Sequence, residues 1–216
     1  MKVADAKTLV GGTGKAGKMP CMTYGLRAGS ACGVGGKLMS NPKSVCASCY
    51  ADGRGSYAWG TVKHAQARRE ATLGRPSGGG WSAWVRAWPV ILRRQDFFRW
   101  HDSGDVRSYA HLAAIVRVAR AVPSCRFWLP TREYALVRKY LAKHGAFPPN
   151  LTVRVSAPLV GVAYRDDVWP VPTSSVGSGK GTPCYAQTDA GKAGGGSCGP
   201  CRACWTSPGN VDYQLH

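Results

Sequence analysis

Phe97-Phe98-Arg99-Trp100-His101-Asp102-Ser103-Gly104-Asp105 is the stretch on which the fold turns. Phe97 to His101 has the aromatic content of a short strand, and Asp102 to Asp105 has the turn residues that end one. A helix over Ser108–Val122 follows, with Leu112, Ile115, Val116 and Ala119 on one face, Arg117 and Arg120 opposite, and Pro123 closing it. Cys125 to Leu129 is the next strand, ended by Pro130-Thr131-Arg132. Glu133–His144 is a helix that packs through Leu136, Val137, Tyr140 and Leu141 and stops at Gly145. Leu151 to Ser156 is a third strand, ended by Ala157-Pro158. Strand, helix, strand, helix, strand with short connections calls for parallel strands and right-handed crossovers. The expected fold class is α/β, as a partial or complete parallel (β/α) barrel.

Upstream, Cys21 to Leu26 reads as a first strand, followed by a cysteine-bearing loop and a glycine-containing turn at Gly53–Gly60. Val62–Leu73 is a basic helix with His64, Arg68 and Glu70 on its polar side, stopped at Gly74-Arg75-Pro76. After Gly78-Gly79-Gly80, the residues Trp81, Trp84, Val85 and Trp88 fall at i, i+3, i+4 and i+7, the spacing of a helix face turned to the core. Pro89 is expected to kink or restart that helix. Residues 1–20 read as a flexible basic arm. Gly12 to Lys18 resembles a phosphate-binding loop, but Met19 stands where Ser or Thr is needed and Pro20 denies the helix, so no nucleotide site is assigned there. Three segments are expected: the arm at 1–20, a barrel-like domain at 21–175, and a cysteine-rich C-terminal extension at 176–216 packed on it.

With 216 residues, 44% apolar and 19% charged, the chain reads as globular. It shows neither a signal-peptide-like start nor an apolar run long enough to span a bilayer, so a cytoplasmic location in a host cell, with no membrane partner, is expected. The net charge is +18. Lys and Arg outnumber Asp and Glu by eight to two in residues 1–60, by sixteen to five in 61–145, and by only five to four in 146–216. Such a balance favours a polyanionic partner, nucleic acid first or else a host protein, against the plainer reading of solvated helix faces.

Seven of the nine cysteines lie in two glycine-rich loops. Cys32 is followed by thirteen residues and then Cys46-x2-Cys49; Cys184 is followed by thirteen and then Cys198-x2-Cys201-x2-Cys204. In a reducing compartment such clusters point to metal or redox chemistry rather than disulfides. The tight C-x2-C-x2-C run suits an iron–sulfur cluster, [4Fe-4S] in particular, with zinc as the structural alternative. The first loop offers three ligands, which would leave one iron open, hold a [3Fe-4S] cluster, or require a residue such as His101 to complete the set.

The polar residues fall at the ends of the strands, where parallel α/β folds place their sites. His101 and Asp102 follow one strand, Arg132 follows the next, and these three are the catalytic candidates. Cys32, Cys46, Cys49, Tyr50, Asp105 and Ser156 are the cofactor-binding candidates, Asp105 being also a candidate helix cap.

Cys32, Cys46-x2-Cys49-Tyr50-Ala51, Phe98 to Asp105, Arg126 to Arg132 and Cys198-x2-Cys201-x2-Cys204-Trp205 resemble the bacteriophage gene product 88 family. The likeness covers about residues 22–205 and implies a phage origin and an iron–sulfur protein. More distantly, the chain is similar to radical S-adenosylmethionine enzymes, though its first cysteines are spaced C-x13-C-x2-C rather than C-x3-C-x2-C. That similarity implies S-adenosylmethionine as a cofactor and a redox or radical reaction. The competing reading is a non-catalytic, metal-stapled protein that binds nucleic acid or a host regulator.

Overall fold

The computed structural model describes residues 1–73 and 80–215. The chain runs α1 (Val3–Val10), β1 (Gly14–Lys15), β2 (Met22–Tyr24), α2 (Gly33–Leu38), α3 (Gly60–Leu73), α4 (Gly80–Leu92), β3 (Phe97–Trp100), α5 (Tyr109–Ala121), β4 (Arg126–Thr131), α6 (Tyr134–His144), β5 (Leu151–Ser156), β6 (Thr173–Val176), β7 (Thr182–Pro183), α7 (Asp189–Ala193), α8 (Ala203–Thr206) and β8 (Val211–Tyr213). Gly74-Arg75-Pro76, expected to stop α3, and Gly78-Gly79 lie outside the described residues.

The strands form one eight-stranded sheet in the order β1-β2-β3-β4-β5-β6-β8-β7. All neighbours are parallel except β1 and β2. Its edges β1 and β7 do not pair with each other, so the α/β sheet is open, and of the partial or complete barrel expected, the complete form is corrected. The βαβαβ unit from β3 to β5 has the expected order, and β5 has the expected bounds.

The alternation of β3 explains how the sheet is covered. Phe98 and Trp100 point to one face and are wholly buried with Tyr24, Trp84, Trp88, Leu112 and Ile115 in the main core. Phe97 points to the other face, where it packs against the small cluster of Cys21, Trp128 and Trp205. Parallel strands are stable when both faces are covered in this way. The tryptophan stripe of α4 is core, as its spacing indicates: Trp84 and Trp88 are buried and Trp81 half-buried. Pro89 sits inside α4, which continues through it.

Residues 1–20, read as a flexible arm, contain the packed helix α1. Ala6 and Val10 of α1 are buried against α4. Gly11 ends α1 at φ +74°, where a Cβ would stand 2.7 Å from the backbone of Arg68 and Arg69, so only glycine lets α1 approach α3. The C-terminal extension adds β8 between β6 and β7 and covers the second face through Trp205, whose Nε1 donates to the Phe98 carbonyl at 2.9 Å.

That extension is held by a buried cation. Arg154 on β5 is fully buried, with Nη1 donating to the carbonyls of Thr173 (2.7 Å) and Gly209 (2.6 Å) and Nη2 to those of Ala203 (3.2 Å) and Ser207 (2.8 Å). Burial pulls its pKa down from the ordinary value, yet arginine stays charged at any working pH. Four carbonyl dipoles, one of them from Ser207 at the C-cap of α8, replace water around the guanidinium. Arg154→Met leaves those carbonyls buried and unmet, and is expected to cost at least about 3 kcal/mol in urea unfolding. Hydrogen exchange should speed up at residues 203–213 before β3 to β5 respond; an unchanged midpoint would remove the clamp from this account.

Candidate functional site

A cavity of about 850 Å³ opens at the C-terminal ends of the parallel strands. The strand ends supply Gly25, His101 to Asp105, Thr131, Arg132, Ser156, Ser174 and Ser175, and the segment from Ser48 to Ala65 closes one side. Of the candidates read from the sequence, Cys32, Cys46, Cys49, Tyr50, His101, Asp102, Asp105, Arg132, Ser156, Cys184, Cys198 and Cys204 all reach the wall, and Cys201 does not.

The loop that carries the first cysteines is pinned over this rim at three places. Asp105 N–H donates to the Ala31 carbonyl (3.2 Å), Val34 N–H donates to the Glu133 carboxylate (2.9 Å), and Val45 N–H donates to the Pro158 carbonyl (3.0 Å). It thus spans the tips of β3, β4 and β5, as expected of a loop that follows the first strand.

Asp105 is a tie between loops. Its carboxylate accepts from Val106 N–H (2.7 Å), the Thr131 hydroxyl (2.7 Å) and Arg132 N–H (2.8 Å), which joins the β3 turn to the end of β4. Burial nevertheless pushes its pKa up to about 6. The expected helix-capping role belongs instead to Ser108, whose hydroxyl accepts from His111 N–H at 3.1 Å. Ser156 likewise spends its hydroxyl within the fold, accepting from Ser174 at 3.0 Å.

Asp102 stands against Gly25, where a Cβ would meet its Oδ1 at 2.6 Å; only glycine allows the approach. Tyr57 donates to its Oδ2 at 3.0 Å, while Oδ1 is buried with no partner among the described residues. The hydroxyl of Tyr50 donates to the Asp102 carbonyl. Tyr50 keeps 43% of its surface exposed, so its ring lies at the mouth with its hydroxyl inward.

His101 takes φ +56°, a left-handed conformation that costs a non-glycine residue about 1 kcal/mol or more. Its Nδ1 lies 3.1 Å from the Tyr24 carbonyl, which assigns the proton to Nδ1. The ring packs against Tyr24, Trp100 and the buried His111, 5.1 Å away between centroids. Burial lowers its pKa to about 4, and burial likewise lowers that of His111.

The residue that sequence reading missed is Arg99. It points away from Phe98 and Trp100 and lies over the Trp128 ring at 4.4 Å from its centroid. Nη1 meets the Met19 sulfur at 3.5 Å and Nη2 the Tyr50 hydroxyl at 3.4 Å, both at the edge of bonding range. Its Nε is buried without a partner, and among the described residues no carboxylate lies within ion-pairing range. Burial acts against this charge, but the neighbouring Tyr50 and Asp102 oxygens more than offset it, and the pKa rises above its ordinary value. The signal was a period-2 argument: a lone arginine between aromatics on an interior strand must face something polar. The cavity wall carries Lys15, Lys18, Arg69, Arg99 and Arg132 against Asp102 and Asp105.

The cysteines do not assemble a metal centre. Among the described residues, no group of three or more His, Cys, Asp or Glu side chains is gathered as a metal ion would need, and all nine cysteines are free thiols. The assignment of the chain as an iron–sulfur or metal-stapled protein is corrected accordingly. Burial pushes Cys32 up to about 12 and Cys184 to about 11, and it also raises Cys49, Cys198 and Cys204. With no metal present, burial holds these side chains as neutral thiols at physiological pH. Cys204 is engaged with the Tyr213 hydroxyl at 3.2 Å. Sequence spacing brought the cysteines to one cavity without converging them on one point.

The family model of gene product 88 matches residues 2–207, and the chain belongs to that family, which supports a bacteriophage origin. No curated protein and no solved structure matches it, and the likeness to radical S-adenosylmethionine enzymes has no support from these comparisons. Among the described residues, no helix is long and apolar enough to cross a membrane.

The buried imidazole gives a pH prediction. Unfolding raises the His101 pKa from about 4 to its ordinary 6.5, so the stability it provides is complete above pH 6.5 and is lost as pH falls toward 4. The full loss is on the order of 3 kcal/mol. Asp105, raised to about 6, acts in the opposite sense over an overlapping window, losing stability as pH rises. The measurement is therefore the difference between the wild type and His101→Asn, which tolerates the left-handed backbone. Urea unfolding from about pH 7.5 to about pH 4.5 should show a smaller acid loss in the variant; equal losses would mean that His101 is not held neutral.

Proposed function

We propose that this member of the gene product 88 family binds an anionic ligand in the rim cavity, with Arg99 as the principal anchor. The observation that carries the reading is a guanidinium placed on an indole, facing a cavity of about 850 Å³, with no carboxylate within ion-pairing range among the described residues. Removing a charge from water without a partner is costly, and a fold that keeps one there is arranged for an anion to complete it. Arginine suits the task, because its planar fork meets two oxygens of a phosphate or carboxylate at once. Stacking on Trp128 holds that fork in place before the ligand arrives.

Arg132 provides a second cation, bound loosely to the Ala157 carbonyl at 3.3 and 3.4 Å. The two carboxylates oppose this charge unequally, because Asp105 is saturated by three donors while Asp102 leaves Oδ1 open. The volume is that of a site for a nucleotide-sized molecule. A ligand with an anionic end at Arg99 and a hydrogen-bond donor near Asp102 fits this division.

Isothermal titration with inorganic phosphate and with nucleoside mono- and triphosphates tests the reading. At least one should bind, and Arg99→Gln should weaken it by roughly tenfold to a hundredfold, the range for a charge-assisted contact. The variant should keep the wild-type melting temperature, since Arg99 makes no strong bond within the fold. Binding unaffected by the substitution, or no binding by any of these anions, would overturn the proposal.

A further inference from the structure

Resting on the anion site above, we infer that the ligand is a single-stranded nucleic acid, with one phosphate at Arg99 and the strand leaving the cavity across Trp59. The segment from Ser48 to Ala65 has two sides. Its inner side, including Tyr57, Thr61 and Val62, lines the cavity. Its outer side presents Trp59 at 64% exposure, the most exposed of the large hydrophobic side chains. This indole is not on a frayed end. The Trp59 carbonyl accepts from Val62 N–H and Lys63 N–H, both at 3.1 Å, so the residue is fixed at the start of α3. A large aromatic ring presented to water from an anchored backbone is a stacking platform for a planar group.

The charge around that ring has the sign of a phosphate-backbone track. Arg54, Lys63 and Arg68 are exposed on the segment and along α3, with Asp52 the one exposed acid between residues 50 and 68. The α3 carboxylate, Glu70, is taken up by Arg27 through bonds of 2.7, 3.0 and 3.1 Å. Residues 28–51 add Lys37 and Lys43 and no acid at all. Tyr50 joins the two regions, its ring at the mouth and its hydroxyl beside Arg99. A free nucleotide would use the cavity and leave Trp59 and this basic border without a role. A duplex keeps its bases stacked on each other and offers none to the indole.

The test is fluorescence anisotropy with labelled single strands of about 12 nucleotides, with and without a terminal phosphate, and with a duplex of the same sequence. Trp59→Ala and Arg99→Gln are measured beside the wild type, each checked for a native circular dichroism spectrum. The wild type should bind the single strand more tightly than the duplex and lose affinity steeply with salt. Trp59→Ala should weaken strand binding about tenfold, and Arg99→Gln should abolish any preference for the phosphorylated end. If phosphate or nucleotides bind through Arg99 while the strand binds no tighter and Trp59→Ala changes nothing, the strand is excluded and the anion site stands. Equal binding of duplex and single strand, unchanged in both variants, would reduce the interaction to net charge and overturn the inference. Strand binding that needs Trp59 but is untouched by Arg99→Gln would overturn the route through the cavity.

Discussion

The carboxylate of Asp105 is the constraint on which the rim depends. A parallel sheet delivers the ends of its strands to one edge, but it does not by itself hold the loops there in register. Asp105 does so with three donors: its neighbour Val106, the Thr131 hydroxyl and the Arg132 amide. Its own amide reaches across to Ala31, which brings in the loop that carries Cys32. One buried side chain thus sets the spacing between the β3 turn, the β4 turn and the wall above them. Its neighbours are set by contact with it: Arg132 is placed through its amide, and Asp102 lies in the same turn, pressed against Gly25.

Three buried or partly buried arginines on the sheet and α3 show how this fold treats a charge. Arg154 gives Nη1 and Nη2 to four carbonyls while its Nε stays without a partner, and Arg69 donates to the carbonyls of Gly25 and Gly12 at 2.9 and 3.3 Å. Neither uses a carboxylate, so the fold meets buried cations with backbone dipoles. Arg99 is treated differently. Among the described residues its guanidinium meets a sulfur, a distant phenol and an aromatic face rather than backbone carbonyls. Were it structural, the pattern of the other two would predict carbonyls within 3 Å of it. The contrast within one molecule is what supports the proposal that Arg99 meets a ligand.

Much of this was legible in the sequence where local physics acts alone. The β3–α5–β4–α6–β5 order follows from periodicity and turn residues, and the tryptophans of α4 were placed in the core by spacing. The rim position of His101, Asp102 and Arg132 follows from strand ends. What local reading could not supply was any contact made at a distance. The helix at Val3–Val10 has two buried residues, Ala6 and Val10, too weak a stripe to announce itself without α4 to receive it. β7 and β8 are short strands that depend on distant edges: β8 pairs with β6, and β7 with β8. The cysteine spacing misled for the same reason: a repeat in the chain fixes how far apart thiols are along the backbone, not where their sulfurs point. Arg99 was visible as a charged residue between aromatics, but its importance lies in the absence of a partner among the described residues, which only the fold can show.

The corrected role of the cysteines strengthens the reading of the cavity. Cys32, Cys49, Cys184, Cys198 and Cys204 line it as thiols whose burial keeps them protonated. A wall of thiolates would have cancelled the guanidinium and repelled an anion. A wall of neutral thiols does neither: it is weakly polar and leaves the charge of Arg99 uncancelled. In such surroundings a charge-assisted bond to a phosphate or carboxylate is stronger than the same bond at the surface. The two cysteine loops therefore serve the site by the chemistry they withhold, and the positive centre of the cavity is left for the ligand.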